Sequence, residues 1–172
     1  MINQEIYIVG GGASLRHFDW LRLDDKTVLA INDAAFRLPY ATHVYFADKY
    51  WFDHWQHKVS EHAGQIHQGV SDDAESVQLG WVRRWNFSEH FSMEPDEVIA
   101  GCSGNAAINL VVQLGYKKLH LLGLDFSHLG NFHEDNLRAG SHRPILWRRR
   151  FDEMLPALKA CGVEILSGAP HG

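Results

Sequence analysis

The run Glu5-Ile6-Tyr7-Ile8-Val9, which stops abruptly at Gly10-Gly11-Gly12-Ala13-Ser14, constrains this chain most. A short, nearly continuous apolar run with branched side chains reads as a strand buried on both faces, and such strands belong to parallel sheets covered by helices. Three glycines directly after it permit a tight turn, and Ser14 is placed to cap a short helix through Leu15, Phe18 and Leu21.

The pattern repeats along the chain. Thr27 to Ile31 and His43 to Ala47 read as further buried strands, the first ending at Asn32-Asp33 and the second at Asp48. A helix rich in Trp, Phe and His follows over roughly 50–62, its aromatic residues serving mainly as packing. Between Gly64 and Pro95 the signal weakens: Ile66-His67-Gln68 and Trp81 to Trp85 fit short strands, and Ser71 to Glu75 fits an acidic loop. Order returns at Val98-Ile99-Ala100-Gly101. Ser103 is the expected N-cap of a helix carrying Ala107, Leu110, Val111 and Leu114 on one face, with Gly115 closing it. Lys118 to Leu124 is a strand ending at Asp125, residues 126–142 form a long polar loop, and a last helix over about 144–160 precedes a final strand over 163–166. Trp147, Phe151, Met154, Leu155 and Leu158 mark that helix's expected core face, and Pro156 should kink it or start a new turn. Alternating strands and helices predict an α/β fold, Rossmann-like, with a mostly parallel sheet and helices on both faces. The length of 172 residues fits one domain, 1–172.

Composition narrows the function classes. A net charge of −5 argues against general nucleic-acid binding. No apolar run approaches a membrane span, and the first residues lack the basic and apolar segments of a signal peptide, so cytoplasmic residence is expected. Two distant cysteines, Cys102 and Cys161, make no disulfide framework and read as buried thiols. The sequence is compatible with a homo-oligomer.

In such a sheet ligands gather beyond the carboxyl ends of the strands. Gly10, Gly11, Gly12 and Ser14 offer backbone N–H groups to an anion, and Ser103 and Gly104 open a second helix N-terminus expected on the same edge. Asn32, Asp33 and Asp48 end strands where ribose or base edges would lie, although turn formation explains them equally well. Asp125 ends another strand, and as strand-end carboxylates Asp48 and Asp125 each suit orienting a ribose, holding a divalent metal, proton transfer in catalysis, or simple turn-capping. The following loop carries His128, His133, Glu134, Asp135 and His142, of which a histidine suits a general base for a hydroxyl, or His with Asp a divalent metal. No closed zinc motif is present. Arg148-Arg149-Arg150 fan out around a helix, so the three cannot all face one ligand; they are expected to be solvated or paired, with room for one to reach an acidic substrate. The first turn lacks the third glycine of the dinucleotide motif, and no Walker sequence occurs.

Three segments together resemble a family: Ile8-Val9-Gly10-Gly11-Gly12-Ala13-Ser14-Leu15, Ala30-Ile31-Asn32-Asp33, and Ser103-Gly104 through Gly115-Tyr116 to Gly123-Leu124-Asp125. Their order is similar to that of bacterial sialyltransferases using CMP-sialic acid, and to 6-hydroxymethylpterin pyrophosphokinase-like proteins and phage relatives. The resemblance implies Gly10, Gly12 and Ser14 beside the phosphate, Asn32 at the nucleoside, Ser103 and Gly104 at phosphate or base, and Asp125 at the ribose. It also implies a loop histidine, His133 or His142, as base. The sialyltransferases have Asn and Pro where this chain has Gly11 and Ala13, and their phosphate-holding tyrosines lack a clear counterpart here.

The favoured expectation is a nucleotide-binding, glycosyltransferase-like enzyme with a nucleotide-sugar donor, CMP-linked in the resemblance, and no required cofactor. The alternatives are Mg2+-dependent pyrophosphoryl transfer from ATP, with Asp125 and Asp48 or Asp135 holding the metal, and a non-catalytic nucleotide-binding or morphogenesis module.

Overall fold

The computed structural model describes residues 4–70, 76–125 and 144–167. Eight strands form one sheet: β1 (Glu5–Val9), β2 (Val28–Ile31), β3 (His43–Phe46), β4 (Gln65–Val70), β5 (Val82–Ser88), β6 (Glu97–Ile99), β7 (Lys118–Leu122) and β8 (Glu164–Ser167). Every neighbouring pair is parallel, in the order β6-β5-β4-β3-β2-β1-β7-β8. Three helices cover it: α1 (Lys49–Val59), α2 (Ser103–Gln113) and α3 (Pro144–Ala160). The expected α/β architecture is therefore present, including strands in the middle region where the sequence pattern is weakest.

The chain winds outward from β1 to β6, returns over the sheet through α2, and lays β7 on the other side of β1. The winding direction reverses between β1 and β7. At such a reversal the connections leave to opposite faces and a crevice opens at the carboxyl ends of the strands.

Alternation within each strand divides the core in two. On one face Val9, Val28, Ala30, Val44 and Phe46 meet Trp51, Phe52 and Val59 of α1 and the short 3-10 turns. On the other, Ile6, Ile8, Leu29, Ile31 and Tyr45 meet α2, and Leu119 joins Met154 and Leu158 of α3. Helix α2 is buried continuously from Gly104 to Val112, as expected of a helix apolar on nearly all sides.

Local details correct several expectations. After the glycine turn there are two 3-10 segments, Ala13–Leu15 and Trp20–Leu23, rather than one helix. The second starts afresh because Asp19 accepts the Leu21 N–H at 3.2 Å, and Leu21 ends 75% exposed. The N-cap of α2 is Cys102, not Ser103: Cys102 is extended and its Sγ accepts the Asn105 N–H at 3.4 Å, leaving Ser103 as the first helical residue. Gly115 closes α2 just beyond its C-cap, with φ +97°, as Gly115 and Tyr116 donate to Val112 and Val111. Gly162 repeats this after α3, where Gly162 and Val163 donate to Lys159 and Leu158. Both glycines take a left-handed conformation that side chains disfavour. Helix α3 runs continuously through Pro156, and its Leu155 is 39% exposed instead of facing the core. The cysteines are half-buried.

The acidic loop 71–75 and the histidine-bearing loop, including His128, His133, Glu134, Asp135 and His142, lie outside the described residues. Among the described residues no helix is long and apolar enough to cross a membrane.

Candidate functional site

The glycine turn is built against the end of β7. Gly10 N–H donates to Leu122 O and Gly12 N–H to Gly123 O, each at 2.8 Å. A Cβ at Gly10 would stand 2.6 Å from Gly123 O, and one at Gly12 would strike both Gly123 O and the Asp125 carboxylate. These two glycines are thus explained by close approach of β1 and β7 beyond their paired residues, not by positive φ; Gly12 has φ −63°. Asp125 then locks the turn from outside: Ser14 N–H donates to its Oδ2 at 2.8 Å and Ser14 Oγ to its Oδ1 at 2.6 Å. Three amides of the expected anion cradle, those of Gly10, Gly12 and Ser14, therefore already have internal acceptors. The N–H groups of Gly11 and Ala13 have none among the described residues.

The second corner, at the start of α2, stands on the same edge. Leu124 lies between the two: its Cδ2 is 2.6 Å from the Cβ position of Gly10 and 3.1 Å from that of Gly104. The Leu124 side chain thus stands between the corners, and Gly11 and Ser103 are half-exposed.

The remaining sequence-predicted residues divide by role. Asp48 caps α1, accepting Tyr50 N–H at 2.9 Å. Asp33 accepts the indole N–H of Trp51, pinning α1 to the end of β2; local architecture accounts for both contacts. Asn32 is different. Its φ of +51° is left-handed and its Oδ1 is buried without a partner. A strained residue with an unsatisfied buried acceptor at a strand's carboxyl end is the combination found where a ligand completes the structure.

Two further unpartnered side-chain atoms belong to Asn105, in the α2 entrance, and to Tyr45, which the sequence pattern gives no reason to single out. Asn105, fully buried in the first turn of α2, donates its Nδ2–H to Trp147 O at 3.1 Å while its Oδ1 has no partner. Tyr45, on β3 opposite Ile31, is fully buried with an unpartnered hydroxyl. Burial, and secondarily the neighbouring Cys102, pushes the Tyr45 phenol up. The Cys102 thiol is also pushed up, chiefly by burial, against the opposing pull of the Asn105 and Gly104 N–H groups and of Arg150. It is held as the thiol, which disfavours a nucleophilic role.

The three arginines fan out as expected. Arg148 pairs with Asp152 and Arg149 with Glu153, at 3.0 and 2.9 Å, both exposed. Arg150 turns toward the α2 entrance and donates from Nη1 to Ala100 O at 2.6 Å. A separate cavity of about 380 Å³, lined by Phe36, Pro39, Val44, Lys58 and Val59 among others, contains none of the sequence-predicted site residues. Among the described residues no group of three or more His, Cys, Asp or Glu side chains is arranged to hold a metal.

A parallel sheet with a switch point, a glycine turn on one side and a helix entrance on the other, defines an α/β protein with a Rossmann-like fold. Comparison with solved structures agrees at the level of fold. The chain is similar to the sialyltransferase CstII from Campylobacter jejuni in complex with the substrate analogue CMP-3FNeuAc: TM-score 0.64, 15% identity, covering 98% of this chain and 82% of that one. The sialyltransferase CST-II in complex with trisaccharide acceptor and CMP matches with TM-score 0.63, 16% identity and the same coverage. No protein-family model matches the chain, and no curated protein does.

Proposed function

We propose that this chain is a glycosyltransferase-like enzyme taking a nucleotide-sugar donor of the CMP-linked kind. The observation that carries the reading is Asn32: a left-handed residue with a buried, unpartnered oxygen, at the carboxyl edge of a fold shared with two structures of the sialyltransferase CstII, one holding CMP and one a CMP-linked analogue. In this reading Asn32 contacts the nucleoside, Asp125 stands at the ribose, and the phosphate lies above Leu124, between the Gly11 and Ala13 amides and the Ser103-Gly104 entrance. An acceptor hydroxyl gives its proton to His133 or His142 as its oxygen bonds the donor sugar's anomeric carbon. The bond from that carbon to phosphate breaks, and the nucleoside monophosphate leaves toward the helix N-terminus, whose dipole offsets its charge.

Thermal shift with CMP, UDP, ADP and ATP, with and without Mg2+, tests the reading. Stabilisation by CMP independent of Mg2+ is expected. Stabilisation by ATP only with Mg2+ would replace it with pyrophosphoryl transfer. No response to any nucleotide would overturn both.

A further inference from the structure

The α2 entrance holds a cation, Arg150, that has no counter-ion among the described residues. Arg148 and Arg149 each have a carboxylate four residues on; the corresponding residue for Arg150 is Met154. Of the five N–H donors of a guanidinium, one meets Ala100 O, and the described residues supply no acceptor for the rest. Gly101 admits the group: with φ +118° and no side chain it lets Nη1 stand 2.7 Å from where a Cβ would be. The backbone is thus shaped around the arginine, which is half-buried and held at the mouth of a helix that begins two residues later. The fully buried, unpartnered Oδ1 of Asn105, in that helix's first turn, independently calls for a ligand that brings a donor.

We propose that Arg150 is the phosphate receptor of the site, a specificity residue that makes the α2 entrance select a nucleoside monophosphate group over the bare nucleoside. A planar fork presents two parallel N–H groups to phosphate oxygens, and the helix N-terminus adds its partial positive charge on the same side. The anchoring bond to Ala100 O fixes the fork in advance, so little side-chain freedom is lost on binding. An adjacent hydroxyl of the ligand would meet Asn105 Oδ1. This inference rests on the nucleotide reading above and adds a charged contact to a glycine turn whose Gly10, Gly12 and Ser14 amides are already bonded to Leu122, Gly123 and Asp125, leaving it the neutral Gly11 and Ala13 amides.

Titration calorimetry of the full chain with CMP and with cytidine tests it. Arg150→Gln should weaken CMP about thirtyfold, the range of a lost charge-assisted contact, and leave cytidine within about twofold. Arg150→Lys should recover part of the loss, since a point charge replaces a fork. Gly101→Ala, which drives a methyl into Nη1, should give the same CMP-selective loss, and Arg149→Gln should change neither ligand. If the parent protein binds both ligands and Arg150→Gln lowers both equally, or neither, the arginine assignment is wrong and the nucleotide reading stands. If the parent protein binds neither CMP nor cytidine, the nucleotide reading fails and the arginine assignment falls with it.

Discussion

Acid should loosen this fold through two buried histidines far from the crevice. His43 and His67 are 6% and 0% exposed and sit in a chain of hydrogen bonds. Trp85 Nε1–H donates to His67 Nδ1 at 3.1 Å. That fixes the His67 proton on Nε2, which faces His43 Nδ1 at 3.1 Å, and leaves the His43 Nε2–H for the Tyr116 hydroxyl at 3.2 Å. The tautomers follow from the network. Protonating either ring sets N–H against N–H inside the core, with the Arg83 cation adding repulsion at His67. Burial accordingly drives His43 down to about 4, and burial first, then His43 and Arg83, drives His67 down to about 3. Both folded values lie below the ordinary 6.5, so the unfolded chain takes up protons first as pH falls. Stability is lost from about pH 6.5 downward, ending only near pH 4 for His43 and pH 3 for His67. At pH 5 each neutral ring forfeits about 2 kcal/mol relative to pH 7.5, about 4 kcal/mol together, a large part of a typical domain's 5–15 kcal/mol. The double variant His43→Gln/His67→Gln keeps hydrogen-bonding amides and removes the titration. Urea melts followed by tryptophan fluorescence at pH 7.5 and pH 5 should show the parent losing about 4 kcal/mol more than the variant. Equal losses would refute the assignment of a neutral buried pair.

Other outcomes follow from the site and the caps. Asn32→Gly should leave stability unchanged or raise it by up to about 1 kcal/mol, because the left-handed strain is relieved, while CMP affinity falls at least about tenfold by calorimetry. A parallel loss of both would mark Asn32 as purely structural. Asp125→Asn should lower the melting temperature modestly, reflecting about 1–2 kcal/mol at an exposed charge-assisted lock, and weaken CMP; tighter CMP binding would instead show that the carboxylate competes with the phosphate for Ser14. Gly115→Ala and Gly162→Ala should each cost about 1 kcal/mol in urea melts, since no atom crowds either Cβ and only the left-handed φ opposes it. The pair should be additive.

Most of the fold could be read from apolar runs, because a parallel strand buried on both faces leaves a dense signature. Ile6 and Ile8 face one layer while Val9 faces the other, and all are buried. The same logic fails after Gly12. Leu15, Phe18 and Leu21 have helical spacing, yet Asp19 captures the Leu21 amide and splits the segment. The Ser103 assignment failed for a similar reason: serine is the commoner cap, but the extended residue was Cys102, whose sulfur does the capping. Side-chain competition for one or two backbone donors decides such boundaries, and periodicity does not register it.

The site divides along the same line. Sequence placed the glycine turn and the α2 entrance on one rim, because strand ends and helix starts must meet there in a parallel sheet. It did not reveal that three of the turn's amides, those of Gly10, Gly12 and Ser14, are already engaged. Gly10, Gly12 and Ser14 looked like anion donors because glycine and serine at a strand end serve anions and tight packing alike. Only the crossing of β7, with Gly123 and Asp125 brought against them, separates the two uses. With those three donors spent the turn keeps only the Gly11 and Ala13 amides, and among the described residues Arg150 is the arginine held at the α2 entrance. An arginine triplet on a helix conveys this only when two members find carboxylates at i+4 and the third finds a glycine without a side chain. Arg148 and Arg149 pair with Asp152 and Glu153 one helical turn on, whereas the matching of Arg150 to Gly101, forty-nine positions earlier, belongs to the folded chain alone.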